Sequence, residues 1–298
     1  MKDYVKGDFL VETDWLADHL GDPKVRIFDC TTHLIPDPNK VFTVKSGLED
    51  YQAGHIPGAG YLDLQADLSD PAGAFRFTTP GPEAFAAALG AKGLGDDCRV
   101  VLYSTAAVSW ATRIWWMLYA YGFENAAILN GGWQKWQAEG RAVSTDDCEY
   151  GPASFTAKPQ LGRIIDRNAV LAALGDDDAV VVNALTKAQH DGTSKAHYGR
   201  PGGITGSVCL PALDLLAGDN TFLSTPELAA KFAESGIGLD QRVLTYCGGG
   251  VAATVDSFAL TLLGHDDVGI YDASLSEWAN DHSLPMSAKA SAAGRAEG

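Results

Sequence analysis

A cysteine followed by small residues stands between a strand-like run and a helix-like run in the second half of the chain. The segment TYCGGGVAAT, residues 245–254, follows the apolar stretch RVLTY and leads into ATVDSFALTLLG. A thiol is a useful nucleophile only as its thiolate, and the start of a helix offers unpaired N–H groups and partial positive charge. Glycines let the backbone curl so that several N–H groups face one spot. The loop therefore predicts that Cys247 is a nucleophile, with room for a second sulfur atom, cradled by the amides of Gly248, Gly249, Gly250, Val251 and Ala252.

Other chemistries of a loop cysteine are tested by the neighbouring residues. A cysteine-dependent phosphatase needs Cys-x5-Arg, and that position is Ala253. A phosphate-binding Walker loop needs Gly-Lys-Ser/Thr after the glycines, where Val251 and Ala252 stand. A papain-like site needs a histidine base, and no pattern in the sequence places one beside the cysteine, although the chain contains His190, His197 and His265. A glycine-rich turn that begins with an inert, buried cysteine is the remaining alternative.

The cysteine loop belongs to a segment that occurs twice in the chain. Residues 99–136 and 242–278 share an Arg-Val start, a tyrosine before the loop, a long apolar helix, a short apolar strand and a tryptophan. In the first copy Ser104 stands at the position of Cys247, and Thr-Ala-Ala replaces the three glycines. The repeat predicts two similar domains, of which only the second has a working nucleophile.

The repeat also predicts the fold. The apolar runs VRIFD, RVVLYS and AAILN, and their counterparts AVVVNA, RVLTYC and VGIYDA, alternate with helical stretches. This alternation indicates α/β domains, each a small parallel sheet with helices on both faces. We expect a first domain at 1–145, a linker at 146–161, a second domain at 162–286 and a disordered tail at 287–298. Ligands bind beyond the carboxyl ends of such strands, and Cys247 follows one of them.

Composition limits the partners. The formal net charge of −16 over 298 residues disfavours nucleic acid and anionic membranes, although a small anionic substrate responds to the local field of its site. We find neither an apolar signal region at the N-terminus nor an apolar run of membrane-spanning length. The five cysteines are widely spaced without a CxxC pair, which argues against disulfides and structural zinc and favours a reducing cytoplasm.

Several motifs together resemble the tandem-domain rhodanese and 3-mercaptopyruvate sulfurtransferase family. They are GHIPGA (54–59), TRIWWML (112–118), LNGGWQKW (129–136), YGRPGGITGS (198–207), the cysteine loop and YDASLSEWA (271–279). The resemblance covers nearly the whole chain. It implies two rhodanese domains, the first catalytically silent, with the active site between them. It also implies that Cys247 takes sulfur from a small anionic donor, becomes a persulfide, and passes the outer sulfur to cyanide or another thiophilic acceptor. No metal or organic cofactor is implied.

The loop and the first domain depart from the family pattern. Thiosulfate enzymes of the family carry cationic residues directly after the cysteine, and mercaptopyruvate enzymes carry Cys-Gly-Ser-Gly-Val-Thr. Here Gly249 replaces the serine and Ala252 replaces the threonine. The mercaptopyruvate class also uses an Asp and a His of the first domain, and Gln65 and Phe77 align with them. The missing relay weighs against mercaptopyruvate, and the neutral loop weighs against strong thiosulfate affinity.

Donor-binding residues of the second domain are also altered. The family's Asp-x-Arg at the end of the first strand reads Asn183-Ala184-Leu185, and a donor arginine maps to Gln189. Arg200 is the best remaining donor-binding cation, with a surface loop arginine as the alternative. We favour thiosulfate as the donor, with 3-mercaptopyruvate as the alternative. A non-catalytic rhodanese module for protein interaction or persulfide sensing is the alternative of another class. The sequence does not define the oligomeric state.

Overall fold

The protein folds into two parallel sheets, as seen in a computed structural model that describes residues 3–37 and 40–289. The strands are β1 (Leu10–Val11), β2 (Val25–Asp29), β3 (Thr32–Asp37), β4 (Lys40–Ser46), β5 (Ala59–Tyr61), β6 (Arg99–Tyr103), β7 (Ala126–Leu129), β8 (Ile164–Ile165), β9 (Ala179–Asn183), β10 (Gly203–Ile204), β11 (Val208–Cys209), β12 (Arg242–Tyr246), β13 (Val268–Tyr271) and β14 (Met286–Ser287). The helices are α1 (Thr13–Asp18), α2 (Leu48–Ala53), α3 (Pro82–Ala91), α4 (Ser109–Ala120), α5 (Gly132–Ala138), α6 (Arg167–Ala173), α7 (Lys187–His190), α8 (Thr225–Glu234), α9 (Ala253–Leu262) and α10 (Ser274–Trp278).

The two sheets have the same strand order. The first runs β1-β7-β6-β2-β5 and the second runs β8-β13-β12-β9-β11, with parallel pairing throughout. Strand β12 lies at the centre of its sheet, and its five residues are paired with β9 from Arg242↔Ala179 to Tyr246↔Asn183. The predicted fold class is therefore confirmed. Cys247 follows directly on the central strand, at its carboxyl end.

Buried apolar residues specify the central strands. Positions 100–103 and 243–246 are buried without alternation, because helices cover both faces of each sheet. The edge strands β1, β5, β8 and β11 have only two or three residues each, too few for a periodic signal, and the sequence did not predict β1, β5 or β8. Nor did it predict the antiparallel hairpin β3–β4, which the first domain inserts after β2.

Helices α4 and α9 form the centre of the domain interface. Residues 110–120 of α4 are all buried, as expected of a helix that is covered on every side. Trp115 of α4 meets Phe258 of α9 edge to face at a centroid distance of 4.7 Å, and the hydroxyls of Thr112 and Thr254 are 2.7 Å apart. The helices that follow the two equivalent loops thus pack against each other. In the described ranges we find no helix that is both long and apolar enough to cross a bilayer.

The linker and the tail follow the domains closely. Ala153 donates a backbone hydrogen bond to Gly90, and Lys158 donates one to Tyr121, so this part of the linker runs along the first domain. Ser287, the first residue of the predicted tail, pairs with Gly203 in the two-stranded β10–β14 sheet. Residues 290–298 of that predicted tail lie outside the described residues.

Candidate active site

Cys247 lies in the wall of a cavity between the two domains. The thiol-bearing residue is 2% exposed and stands where β12 ends, before α9 begins. The cavity has a volume of about 540 Å³, which suits a small molecule. Its wall combines residues of the hairpin β3–β4, of segment 74–77 and of loop 106–110 with Leu185, Tyr198, Cys247, Gly248, Gly249, Val251, Ala252, Ser276 and Asn280.

Ser274 holds the cysteine loop in place through hydrogen bonds to its backbone. Its Oγ accepts hydrogen bonds from the amides of Cys247 (3.1 Å) and Gly250 (3.2 Å) and donates one to Tyr271 O (2.7 Å). Ser274 is fully buried and has φ +50°, a left-handed conformation that is uncommon for a residue with a side chain. The first repeat has Gly132 at this position, with φ +55°. The buried hydroxyl therefore keeps a strained backbone conformation that its counterpart reaches with glycine.

The remaining amides of the loop are unpaired. Within the described part of the chain, no group accepts a hydrogen bond from the amides of Gly248, Gly249, Val251 or Ala252. The amide of Gly250, which the sequence analysis counted in the cradle, is instead taken by Ser274. The open amides line the start of α9, where partial positive charge accumulates. This part of the loop can bind an anion.

The three glycines meet different constraints. A β-carbon at Gly248 would lie 1.8 Å from Cζ of Tyr198, and one at Gly250 would lie 2.4 Å from the carbonyl oxygen of Asp272. Gly250 also has φ +72°, which disfavours any side chain. At Gly249 a β-carbon would meet only ordinary contacts, at 3.5 Å from Ser276 Oγ and 3.9 Å from Phe77. Gly250 is therefore required by the backbone, Gly248 is required as long as Tyr198 keeps its position, and position 249 does not require glycine.

Tyr198 covers Gly248, the residue that follows Cys247. Its ring packs against Gly248 and meets Phe42 of the first-domain hairpin edge to face at 6.0 Å. Burial, and then the neighbouring Cys247, raise the pKa of Tyr198 above its ordinary value, so the hydroxyl keeps its proton. Among the described residues, none forms a hydrogen bond with this hydroxyl.

The charges around the cavity favour an anion. Although the protein carries a formal charge of −16, no aspartate or glutamate is among the described residues that line this cavity. Its cationic candidates are Arg76, which is exposed, and His33, which pairs with Asp50 outside the lining. We find no group of three metal-ligating side chains in the described ranges.

Arg113 connects the loop to the first domain. This arginine of α4 is fully buried and donates to Gly250 O at 3.1 Å, to Phe77 O at 2.7 Å and to Thr79 Oγ1 at 3.0 Å. It also forms an ion pair with Asp272, whose carboxylate accepts from the amide of Thr79 at 2.8 Å. The active-site loop is thus attached directly to the other domain.

Arg200 does not lie at the cavity, and its predicted role as the donor-binding cation is corrected. Its guanidinium donates to the carbonyl oxygens of Ala279 (3.1 Å), Leu284 (3.0 Å), Trp278 (2.9 Å) and Asp281 (2.6 Å). With these hydrogen bonds the side chain is fully engaged at the end of α10. It therefore anchors the segment that carries Tyr198.

The positions that depart from the family pattern are divided between the cavity and its surroundings. Phe77 and Leu185 line the cavity, whereas Gln65 and Gln189 do not. Asn183 lies at the end of β9 and is buried, and its Nδ2 is 3.2 Å from Nδ1 of His190. The cavity therefore has apolar side chains at two positions where the family pattern provides chemistry.

The equivalent loop of the first domain is closed. Ser104 Oγ accepts a hydrogen bond from the amide of Ala106 at 3.0 Å, and the void beside it measures only about 10 Å³. Asn220 of the second domain lines this void and has φ +61°. Phe77 of the first domain, with φ +63°, lines the open cavity at Cys247. Each domain thus places one left-handed residue at the loop of the other.

Sequence reasoning did not find Tyr198, Ser274 or Arg76. Tyr198 and Arg76 come to the cavity through contacts between distant segments, which no local pattern encodes. Ser274 could have been found from the sequence, because the repeat aligns it with Gly132 in the segment AAILNGGWQKW. A serine in place of a glycine that opens a helix indicates that its hydroxyl is needed there.

Two tandem α/β domains, with a cysteine loop on the second and a serine at the same place on the first, define the tandem rhodanese class. The rhodanese-like domain model matches the chain twice, at residues 12–139 and 168–281. The chain belongs to this family, and the predicted enzyme class, a rhodanese-type sulfurtransferase, is confirmed.

Named relatives support this assignment. The chain is 31% identical to "Thiosulfate/3-mercaptopyruvate sulfurtransferase 1, mitochondrial" of Arabidopsis thaliana, over 93% of this chain and 77% of that protein. It is also 31% identical to the 3-mercaptopyruvate sulfurtransferase of Escherichia coli K12, over 93% of this chain and 97% of that one. The crystal structure of the 3-mercaptopyruvate sulfotransferase SseA from Escherichia coli matches with a TM-score of 0.80 and 30% identity, over 90% of this chain and 99% of that one.

Proposed function

We propose that the protein transfers sulfane sulfur from thiosulfate to a thiophilic acceptor through a persulfide on Cys247. The observation that carries the proposal is the position of Cys247 on a loop whose amides at 248, 249, 251 and 252 have no partner among the described residues, in a cavity whose described lining holds no carboxylate. Such a loop stabilises a thiolate, a bound dianion and a persulfide alike. The named relatives, which include thiosulfate and mercaptopyruvate sulfurtransferases, support sulfur transfer as the reaction class.

In the first half-reaction the Cys247 thiolate attacks the outer sulfur of thiosulfate. A new S–S bond forms to Cys247, the S–S bond of thiosulfate breaks, and its electron pair leaves with sulfite. Sulfite departs as a stable anion, so this step requires no proton donor. The amides of Gly248, Gly249, Val251 and Ala252 receive the persulfide anion, whose charge equals that of the thiolate it replaces.

In the second half-reaction cyanide or a thiolate attacks the outer sulfur. The bond to Cys247 breaks and its electron pair returns to the cysteine as thiolate, so the cycle needs no external oxidant or reductant. This is covalent catalysis in two steps, and ping-pong kinetics are expected. The cavity of about 540 Å³ has room for a small acceptor.

The side chains of the cavity favour thiosulfate over 3-mercaptopyruvate. When mercaptopyruvate gives up its sulfur, the pyruvate enolate that leaves must gain a proton. Phe77, at the position aligned with a family histidine, cannot provide one, and Gln65 is outside the lining. 3-Mercaptopyruvate remains the second candidate because of the 31% identity to the Escherichia coli enzyme that bears its name.

The first domain is proposed to be catalytically silent. Ser104 is a poor nucleophile without a base, and its void of about 10 Å³ cannot hold a donor. A cytoplasmic location also stays a proposal, supported by the five cysteines, which are all free. The domain boundaries at 145, 161 and 286 remain predictions.

Intact mass after mixing the reduced protein with each donor tests the proposed function. We expect thiosulfate to add the mass of one sulfur atom to the wild type, faster than 3-mercaptopyruvate does, and to add nothing to Cys247→Ser. Faster uptake from 3-mercaptopyruvate would reverse the choice of donor. No uptake from either donor would overturn the proposal and favour a non-catalytic binding module.

A further inference from the structure

The hydroxyl of Tyr198 is an unused hydrogen-bond donor at the reacting end of the cavity. Tyr198 lines the same cavity as Cys247, and no described residue forms a hydrogen bond with its Oη. Tyr198 is half-buried and its Oη is open to the cavity, so water or a ligand there can accept its hydrogen bond. Its place on the wall points to a ligand that sits over Cys247.

The contact with Gly248 locates this hydroxyl. A β-carbon at Gly248 would lie 2.2 Å from Oη, so the hydroxyl stands just beyond the backbone of the residue that follows the nucleophile. The φ of Gly248 is outside the left-handed region, and the three atoms nearest to a β-carbon built there all belong to Tyr198. Tyr198 therefore occupies the space where a side chain at position 248 would begin. The Tyr198 hydroxyl therefore stands where a cationic side chain at position 248 would have to begin.

The segment that carries Tyr198 is held firmly. The neighbouring Arg200 engages four carbonyl oxygens at the end of α10. Asn280 Nδ2 donates to Tyr198 O and to Ser276 O, both at 2.9 Å. Ser276 in turn donates from N and Oγ to Gly248 O, each at 2.8 Å. Tyr198 and Gly248 are thus fixed relative to each other through one short chain of hydrogen bonds.

We propose that Tyr198 is a catalytic residue whose hydroxyl donates a hydrogen bond to the anionic group of the sulfur donor over Cys247. The assignment rests on the proposed function for the identity of the donor as thiosulfate. The hydroxyl keeps its proton throughout, so it binds the sulfonate oxygens and the departing sulfite without changing the balance of the sulfur-transfer step. Because a neutral donor adds no charge, the loop can remain free of cations and still select an anion.

Thiosulfate binding to a variant that cannot react tests the assignment. In the Cys247→Ser background we expect Tyr198→Phe to weaken thiosulfate binding about tenfold or more, because a hydrogen bond to a charged group is lost. Binding is followed by calorimetry. Tyr150→Phe in the same background is the matched control, since Tyr150 lies outside the cavity, and it should leave the affinity unchanged.

Alkylation of Cys247 by neutral iodoacetamide separates binding from folding. In an otherwise wild-type chain, Tyr198→Phe should leave this rate within about twofold while the KM for thiosulfate rises as the affinity falls. Equal thiosulfate affinity with and without the Tyr198 hydroxyl overturns the assignment, as does the absence of binding to Cys247→Ser. If Tyr198→Phe weakens thiosulfate binding but the wild type takes up no sulfur, the role of Tyr198 in binding is supported and the proposed sulfur transfer from thiosulfate is overturned.

Discussion

Asp29 and Asn183 occupy the same position in the two repeats, at the ends of β2 and β9, and both are fully buried. Asp29 Oδ1 accepts from the amide of Thr31 at 2.8 Å, as Asn183 Oδ1 accepts from the amide of Leu185 at 3.0 Å. Oδ2 of Asp29 has no partner among the described residues. Burial raises the pKa of Asp29 to about 6, despite the hydrogen bonds from Thr31 that lower it.

The raised pKa of Asp29 in the folded protein makes the free energy of unfolding depend on pH. Below about pH 4 the carboxyl is protonated in both the folded and the unfolded chain. Between about pH 4 and pH 6 the unfolded chain releases the proton first, so the free energy of unfolding falls as the pH rises. Above about pH 6 the carboxyl is ionised in both states, and the free energy of unfolding falls no further. A rise in pKa from 3.8 to about 6 corresponds to at most about 3 kcal/mol.

Asp29→Asn should remove this dependence while keeping the Oδ1 acceptor. Measured by urea unfolding, the free energy of unfolding of the variant relative to the wild type should rise by up to about 3 kcal/mol between pH 4 and pH 7.5. Asn183→Asp is the mirror experiment and should introduce the same loss with rising pH. A difference between wild type and Asp29→Asn that does not change with pH would contradict the argument.

At the scale of the element, the turn between β12 and α9 allows side chains at one of its three glycines. Gly250 has φ +72° and lies under the carbonyl of Asp272, whereas a β-carbon at Gly249 would meet only ordinary van der Waals contacts. We expect Gly250→Ala to destabilise the protein by a few kcal/mol and to abolish sulfur uptake, because Ala needs both a strained φ and room that is occupied. Gly249→Ala is the matched control and should change neither the stability nor the sulfur uptake by much. Thermal unfolding measures the stability and intact mass measures the uptake. Equal results for the two variants would contradict the different constraints at positions 249 and 250.

The same elements show how far the sequence could be interpreted. The strand, the loop and the helix at Cys247 are contiguous in sequence and occur twice, so the repeat predicted the central strands, the nucleophile and the replacement by Ser104. Arg200 was misplaced because its partners lie at 278–284, and nothing local to YGRPGG encodes them. Tyr198 was missed for a similar reason, since its contact with Gly248 joins segments that are far apart in the chain.

At the scale of the whole molecule, one buried cation joins the active-site loop to the other domain. Arg113 contacts Gly250, Phe77 and Thr79 and pairs with Asp272. Arg113→Met should reduce stability by about 3–5 kcal/mol, because it leaves the largely buried Asp272 carboxylate without its cationic partner. It should also slow sulfur uptake, because the loop loses its attachment.

A surface arginine is the control for that prediction. Arg141 pairs with Asp14 and Glu139 near solvent, and Arg141→Met should cost about 1 kcal/mol or less. Urea unfolding and the rate of mass gain are measured on both variants. If Arg113→Met unfolds like Arg141→Met, the buried pair is not what holds the domains together.

The two halves exchange contacts in both directions. The amide of Thr79 in the first half binds Asp272 in the second, and the amide of Phe222 in the second binds Asn130 in the first at 2.9 Å. Each half therefore completes the other, whichever of them holds the nucleophile. In evolutionary terms, the first copy is not a relic that a deletion could discard, and a recombination that exchanges one half alone would have to supply matching residues for both contacts. Selection then acts on the pair as one heritable unit.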